Sequence, residues 1–174
     1  MKLRAAEAGF SLVEVVITIV VIGIALLAAV GSWSTIASNS ADVMWQTRIS
    51  YLGQAYLEEI LSRRYDENTP IGGGVCSPCS TSLGAEGEAR TDFNDVDDFN
   101  GLTEAAVGLF VGITGSAVQS YQNYSVSVSV AYAGQRIFGA GADDQLVKEI
   151  IVTVTPPSNT GSGPVRFSAL RGNF

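Results

Sequence analysis

From Phe10 to Val30 the chain is almost wholly apolar: after Glu14, Thr18 is the sole polar side chain until the run ends. These roughly 21 residues, at about 1.5 Å each in a helix, span about 31 Å, enough to cross the hydrocarbon core of a bilayer. Beyond the run, Trp45, Ile49, Leu52, Tyr56 and Ile60 recur at spacings of 4, 3, 4 and 4. That is one apolar stripe of an amphipathic helix, with Glu58, Glu59, Arg63 and Arg64 off it, and such a stripe needs a sheet or helix to cover. The sequence therefore predicts a long N-terminal helix in two halves: an apolar half over residues 10–37 and an amphipathic half over 38–67. Its end falls near Tyr65 to Asn68, because Asn68-Thr69-Pro70 and Gly72-Gly73-Gly74 break helices.

Residues 68–123 read as a loop-rich region. From Tyr124 the period changes to two. Val126, Val128, Val130 and Tyr132 alternate with Ser125, Ser127 and Ser129, a half-buried strand whose serines face solvent or a neighbour. A loop with Gly134, Gly139 and Gly141 leads to a second strand, Leu146 to Thr155, with Ile150, Val152 and Val154 inward. Pro156-Pro157 ends it, and a turn over 159–163 leads to a third strand, Val165 to Leu170. Consecutive strands joined by loops make an antiparallel sheet of about three to four strands over 124–174. The fold class is α+β, with the helix stripe covering the sheet.

The apolar run admits two plainer explanations. A secretory signal peptide has a core of only about 7 to 15 apolar residues, which this run exceeds. A simple signal anchor fits the length and the topology, since Lys2 and Arg4 hold the N-terminus in the cytoplasm and the next charge after Glu14 is Asp42. It leaves Glu14 unexplained. A carboxylate inside a membrane segment costs about 2.5 to 3.5 kcal/mol on insertion scales, so it calls for a partner and a role.

Charge and composition narrow the classes further. The 174 residues carry 10 basic and 17 acidic side chains and no histidine. An acidic chain repels phosphate backbones, which argues against nucleic-acid binding. His-dependent catalysis and imidazole metal sites are excluded, and no nucleophile paired with a base is visible, so an enzyme is the least favoured class. No cofactor is indicated.

Two constellations could still carry chemistry. Cys76 and Cys79 form a Cys-Ser-Pro-Cys unit; outside the cytoplasmic membrane it becomes a local disulfide, with a redox motif or metal ligation as the alternatives. Asp95, Asp97 and Asp98 lie between Phe93 and Phe99, with Asp92 just before them. Calcium is a weak possibility at Asp95, Asp97 and Asp98, since Val96 stands where an EF-hand places an oxygen ligand. A turn or capping role is favoured, and a protein-contact surface is the third option.

Gly9-Phe10 followed by Glu14, behind a short basic leader, resembles the type IV pilin superfamily. The resemblance implies that the leader, residues 1–9, is removed between Gly9 and Phe10 by prepilin peptidase, and that the new Phe10 amine is methylated. It implies that Glu14 pairs with the Phe10 amine of a neighbouring subunit inside a filament. Gly31 falls where many type IV pilins carry a helix-breaking proline, which implies a place where the helix bends or melts on assembly. Removing Lys2, Arg4 and Glu7 with the leader would leave 8 basic and 16 acidic side chains.

The resemblance extends along the chain to the minor pilins of mannose-sensitive haemagglutinin systems. It rests on Leu52-Gly53-Gln54, Glu58-Glu59, Arg64-Tyr65-Asp66-Glu67-Asn68, the pair Cys76 and Cys79, Asp95-Val96-Asp97-Asp98 through Gly101, and Phe167 to Phe174. The cysteines lie earlier than the C-terminal disulfide loop of major pilins. The implied function is a structural and assembly subunit of an attachment pilus. Its implied partners are other pilin subunits, prepilin peptidase and the inner-membrane assembly platform. It would be a single-pass inner-membrane protein, N-terminus cytoplasmic, that passes into a surface pilus. A pseudopilin of a type II secretion system shares every N-terminal feature, and a direct adhesin is a further, less favoured class.

Overall fold

The computed structural model describes residues 11–105, 121–160 and 162–174. Contacts divide the chain into two compact units, Met1–Met44 and Trp45–Phe174.

From Leu12 on, the first unit is helix. Helix α1, Leu12–Leu61, includes an apolar stretch Leu12–Ser34 of 23 residues with mean hydropathy 2.9, none of it buried within the chain. A helix apolar on every side finds its solvent in lipid or in other helices rather than in its own domain. Two of its hydroxyl residues, Thr18 and Ser32, are locally satisfied. Thr18 Oγ1 donates to the Glu14 carbonyl at 2.7 Å and Ser32 Oγ to the Ala28 carbonyl at 3.1 Å, the back-bonding that lets these residues sit in an apolar helix.

In the second unit, residues of the C-terminal half of α1 cover a four-stranded sheet. The strands are β1 (Thr103–Ala105), β2 (Ser125–Tyr132), β3 (Val147–Thr155) and β4 (Val165–Gly172), in spatial order 1-2-3-4 and all antiparallel. The register sets Val128 opposite Val152 and Val152 opposite Phe167. Val126, Val128 and Val130 of β2 and Ile150, Val152 and Val154 of β3 form one core with Ile49, Leu52, Tyr56 and Ile60 of α1. Ser125 and Ser129 are exposed and Ser127 half-buried, as period-two alternation requires. The helix comes closest at Gly53, where an added Cβ would stand 2.3 Å from Cδ2 of Phe167 on β4. Trp45 lies at the margin of this core, with its ring 6.2 Å from that of Tyr124.

The architecture is thus the expected α+β one, with three differences in detail. Helix α1 ends at Leu61, short of the expected Tyr65 to Asn68. There the chain leaves the helix to form a parallel bridge between Arg64 and Asp95, with the Val96 N–H donating to the Arg64 carbonyl at 3.0 Å, and Tyr65 and Asp66 turn inward. Second, β1 lies within the stretch expected to be loop, and only three of its residues pair with β2. Third, the glycine-rich connection between β2 and β3 contains a short helix, α2 (Gly134–Phe138).

Candidate functional site

Among the described residues, charge stands where it is costly at Glu14 in the apolar half of α1 and in a buried ionic cluster around Lys148 of β3.

Glu14 lies in the first turn of α1, inside the apolar stretch, where a carboxylate also complements the positive end of the helix dipole. Gly9 and Phe10, the expected processing and methylation site, fall outside the described residues. At Gly31 the helix runs on without a break, and an added Cβ there would touch nothing within 4 Å.

Cys76 and Cys79 are joined by a disulfide, with Cα atoms 5.2 Å apart and both residues buried. Asn173 clamps this small loop. Its Oδ1 accepts from the Cys76 N–H at 2.9 Å, and its Nδ2 donates to the carbonyls of Cys76 at 3.2 Å and Gln145 at 3.3 Å. Tyr65, which packs with the two cysteines, donates from its hydroxyl to the Gln145 carbonyl at 2.6 Å.

The aspartates resolve into different tasks. Asp95 Oδ1 accepts from the N–H groups of Asp97 at 2.9 Å and Asp98 at 3.2 Å. Asp98 Oδ2 accepts from Asn94 at 2.8 Å and Asp95 at 3.0 Å. This reciprocal arrangement is a capping box around the 3-10 turn Asp97–Phe99. Asp97 turns instead to the ammonium of Lys148, with which it makes a direct ion pair.

Lys148 is the centre of the cluster and was not singled out by the sequence analysis. Its ammonium also donates to Asp66 Oδ2 at 3.1 Å and to the Tyr65 carbonyl at 2.7 Å, and it lies 4.5 Å from the centroid of the Tyr65 ring and 5.4 Å from that of Tyr132. The side chains of Lys148, Asp66 and Asp97 are fully shielded from solvent. Asp66 is further held by the N–H groups of Asn68 at 3.0 Å and Ser80 at 3.1 Å. Burial pushes its carboxyl up, but those N–H donors and the Lys148 cation outweigh burial and leave it below the ordinary carboxylate range. Asp95 goes the other way. Burial, a hydrogen bond with Asp97 and the charges of Asp97 and Asp98 push its carboxyl up to about 8. The same buried carboxylates raise the phenols of Tyr65 and Tyr132, after burial itself.

A second cationic anchor was also missed. Arg90 grips Glu59 with two hydrogen bonds of 2.9 and 2.7 Å, lies 3.5 Å from Glu104 of β1, and stacks over Phe99 at 4.8 Å. Tyr56 completes it by donating to Glu104 at 2.7 Å. Signals for both anchors exist in the sequence. Lys148 is in period with Ile150, Val152 and Val154, so a lysine occupies the inward face of a strand; Arg90 stands in a loop whose nearest aromatics are Phe93 and Phe99.

Chemically, the buried cluster ties four pieces of chain together: the exit from α1, the disulfide loop, the capped turn and β3. The carboxylate in the apolar helix is the residue that looks outward from the chain.

Comparison with known proteins bears on the N-terminus. Residues 4–30 match the family model of the prokaryotic N-terminal methylation motif. No curated protein and no solved structure matches the chain. The matched motif, the apolar helix and the four-stranded antiparallel sheet are consistent with the type IV pilin fold, and the motif supports a type IV pilin or pseudopilin, a structural subunit anchored in the membrane.

Proposed function

We propose that this chain is a minor type IV pilin of the MshD kind, a structural and assembly subunit of a surface pilus used for attachment. The observation that carries the proposal is the single carboxylate, Glu14, within an apolar span of 23 residues that overlaps a methylation motif at residues 4–30. A lone charge in such a span needs an opposite charge brought to it from outside the chain. Cleavage after Gly9 supplies one: a cationic, methylated Phe10 amine on the neighbouring subunit. In the low dielectric of a helical filament core that pair is attractive far beyond its value in water, and either charge without the other is costly.

Processing by prepilin peptidase exposes Phe10 on the cytoplasmic side; the inner-membrane assembly platform then lifts the subunit out of the bilayer. Leu12 to Val30 exchange lipid for neighbouring helices, and Gly31 gives the helix a place to yield at about 1 kcal/mol relative to alanine. The domain beyond Trp45 rides on the outside of the filament, its local disulfide and buried ion cluster suited to a periplasmic and surface environment. The early place of Cys76 and Cys79 in the chain, unlike the C-terminal disulfide loop of major pilins, favours a minor over a major subunit.

Membership of a type II secretion pseudopilus is the second reading, because the motif match is common to both. Immunogold labelling of sheared pili separates them. Label along or at the tip of pili is the expected result. Pili without label, together with a secretion defect in a deletion strain, would move the chain to the pseudopilus.

A further inference from the structure

A plain ion pair does not satisfy the buried cluster. One ammonium faces Asp66 and Asp97, and two carboxylate oxygens, Oδ2 of Asp95 and Oδ2 of Asp97, have no hydrogen-bond donor although both residues are fully buried. A buried carboxylate oxygen without a donor costs more than the hydrogen bond it lacks. The aromatic walls formed by Tyr65 and Tyr132 exclude water from the ammonium.

We infer that Lys148 and Asp97 condense into an intramolecular amide, a covalent bond between β3 and the capped turn. The geometry supplies each requirement. The Lys148 amine and the Asp97 carboxyl are already in direct contact, which removes the entropic barrier that makes amide formation slow between free groups. The pocket is dry, which holds back hydrolysis of the product. Asp66, 3.1 Å from Nζ, accepts the proton that the ammonium must shed before it can attack. Asp95, whose Oδ1 accepts from the Asp97 N–H at 2.9 Å and whose carboxyl is pushed up to about 8, donates a proton to the departing oxygen.

The step balances without any co-reactant. The Lys148 Nζ lone pair forms a bond to Asp97 Cγ, and one Cγ–O bond breaks. Of the three ammonium protons one remains on the amide nitrogen, and two leave with the oxygen as water, relayed through Asp66 and Asp95, which end as they began. Two buried charges disappear and one buried carboxylate oxygen departs with the water. Unlike the disulfide at Cys76–Cys79, the resulting link resists reduction.

The test is mass spectrometry of the full chain purified in detergent and reduced. Digestion with trypsin together with a glutamyl endopeptidase cuts after Arg90, Glu104, Arg136 and Glu149. The expected product is a branched peptide joining residues 91–104 to residues 137–149, one water lighter than the sum of the two, with Lys148 resistant to trypsin and residues 105–136 released between them. Separate peptides of full mass, with trypsin cutting at Lys148, would overturn the inference. A loss of water confined to the linear peptide that contains Asp97 would do the same, because it marks cyclisation onto the backbone instead. Asp97→Asn should yield the same branched product by losing ammonia in place of water. Asp95→Asn should leave most of the chain unlinked, and full linkage in that variant would overturn the role of Asp95 as proton donor.

Discussion

Lys148 shows how a single residue sets the stability of the domain beyond Trp45. Replacing it leaves Asp66 and Asp97 buried without the nitrogen they share, so Lys148→Met should destabilise the fold by about 3 to 5 kcal/mol, read from the shift in denaturant midpoint. The neighbouring carboxyls give the domain a pH profile with two opposed limbs. In the fold Asp95 holds its proton up to about 8 against an ordinary value of 3.8, so unfolding releases a proton between those values and stability falls as pH rises across that window. Asp66 is held below the ordinary range, so its contribution is present at neutral pH and is lost on acidification. Asp95→Asn should therefore flatten the decline between about pH 4 and 8 in a series of thermal melts while keeping the acid limb. A wild-type midpoint that is constant across that window would contradict the assignment. Little of this was legible beforehand. The sequence marks Asp95, Asp97 and Asp98 as a dense group and favours a capping role, which Asp95 and Asp98 fulfil; that Asp97 reaches Lys148, 51 residues away, depends on tertiary packing that no local spacing encodes.

At the scale of elements, local pattern was a better guide. The stripe from Trp45 to Ile60 and the alternation in β2 and β3 mark the core face directly, because a buried face imposes its period on the sequence. The end of α1 was less legible. Breakers at Asn68 to Gly74 locate where a helix can no longer continue, whereas the pairing of Arg64 with Asp95 stops it earlier. Strand β1 has too few residues to display a period, and its place in the sheet depends on its neighbour β2. A tight seam joins α1 to the sheet at Gly53 against Phe167, where a side chain has no room. Gly53→Val should force α1 and β4 apart and lower stability by about 1 to 3 kcal/mol, measurable by denaturant unfolding, despite the better helix propensity of valine than glycine.

For the whole molecule, the apolar helix half and the globular half answer to different solvents. The cores of the two units are built on different rules: one leaves its apolar residues outward for lipid or neighbouring helices, the other turns them inward beneath a sheet. The span and its single carboxylate could be recognised from sequence because hydropathy over about 20 residues needs no tertiary information. The partner of Glu14 could not, since on the proposed reading it belongs to another subunit. Replacement of Glu14 is accordingly the most direct test. Glu14→Ala removes a charge from the membrane segment and so makes insertion easier, which means that a loss of function cannot be put down to failed anchoring. The measurement is the amount of the variant in sheared filaments relative to its membrane pool, with leader removal followed by mass. Normal processing with incorporation reduced at least about tenfold, equivalent to about 1.4 kcal/mol of lost subunit pairing, is the expected result. Undiminished incorporation of Glu14→Ala would contradict it.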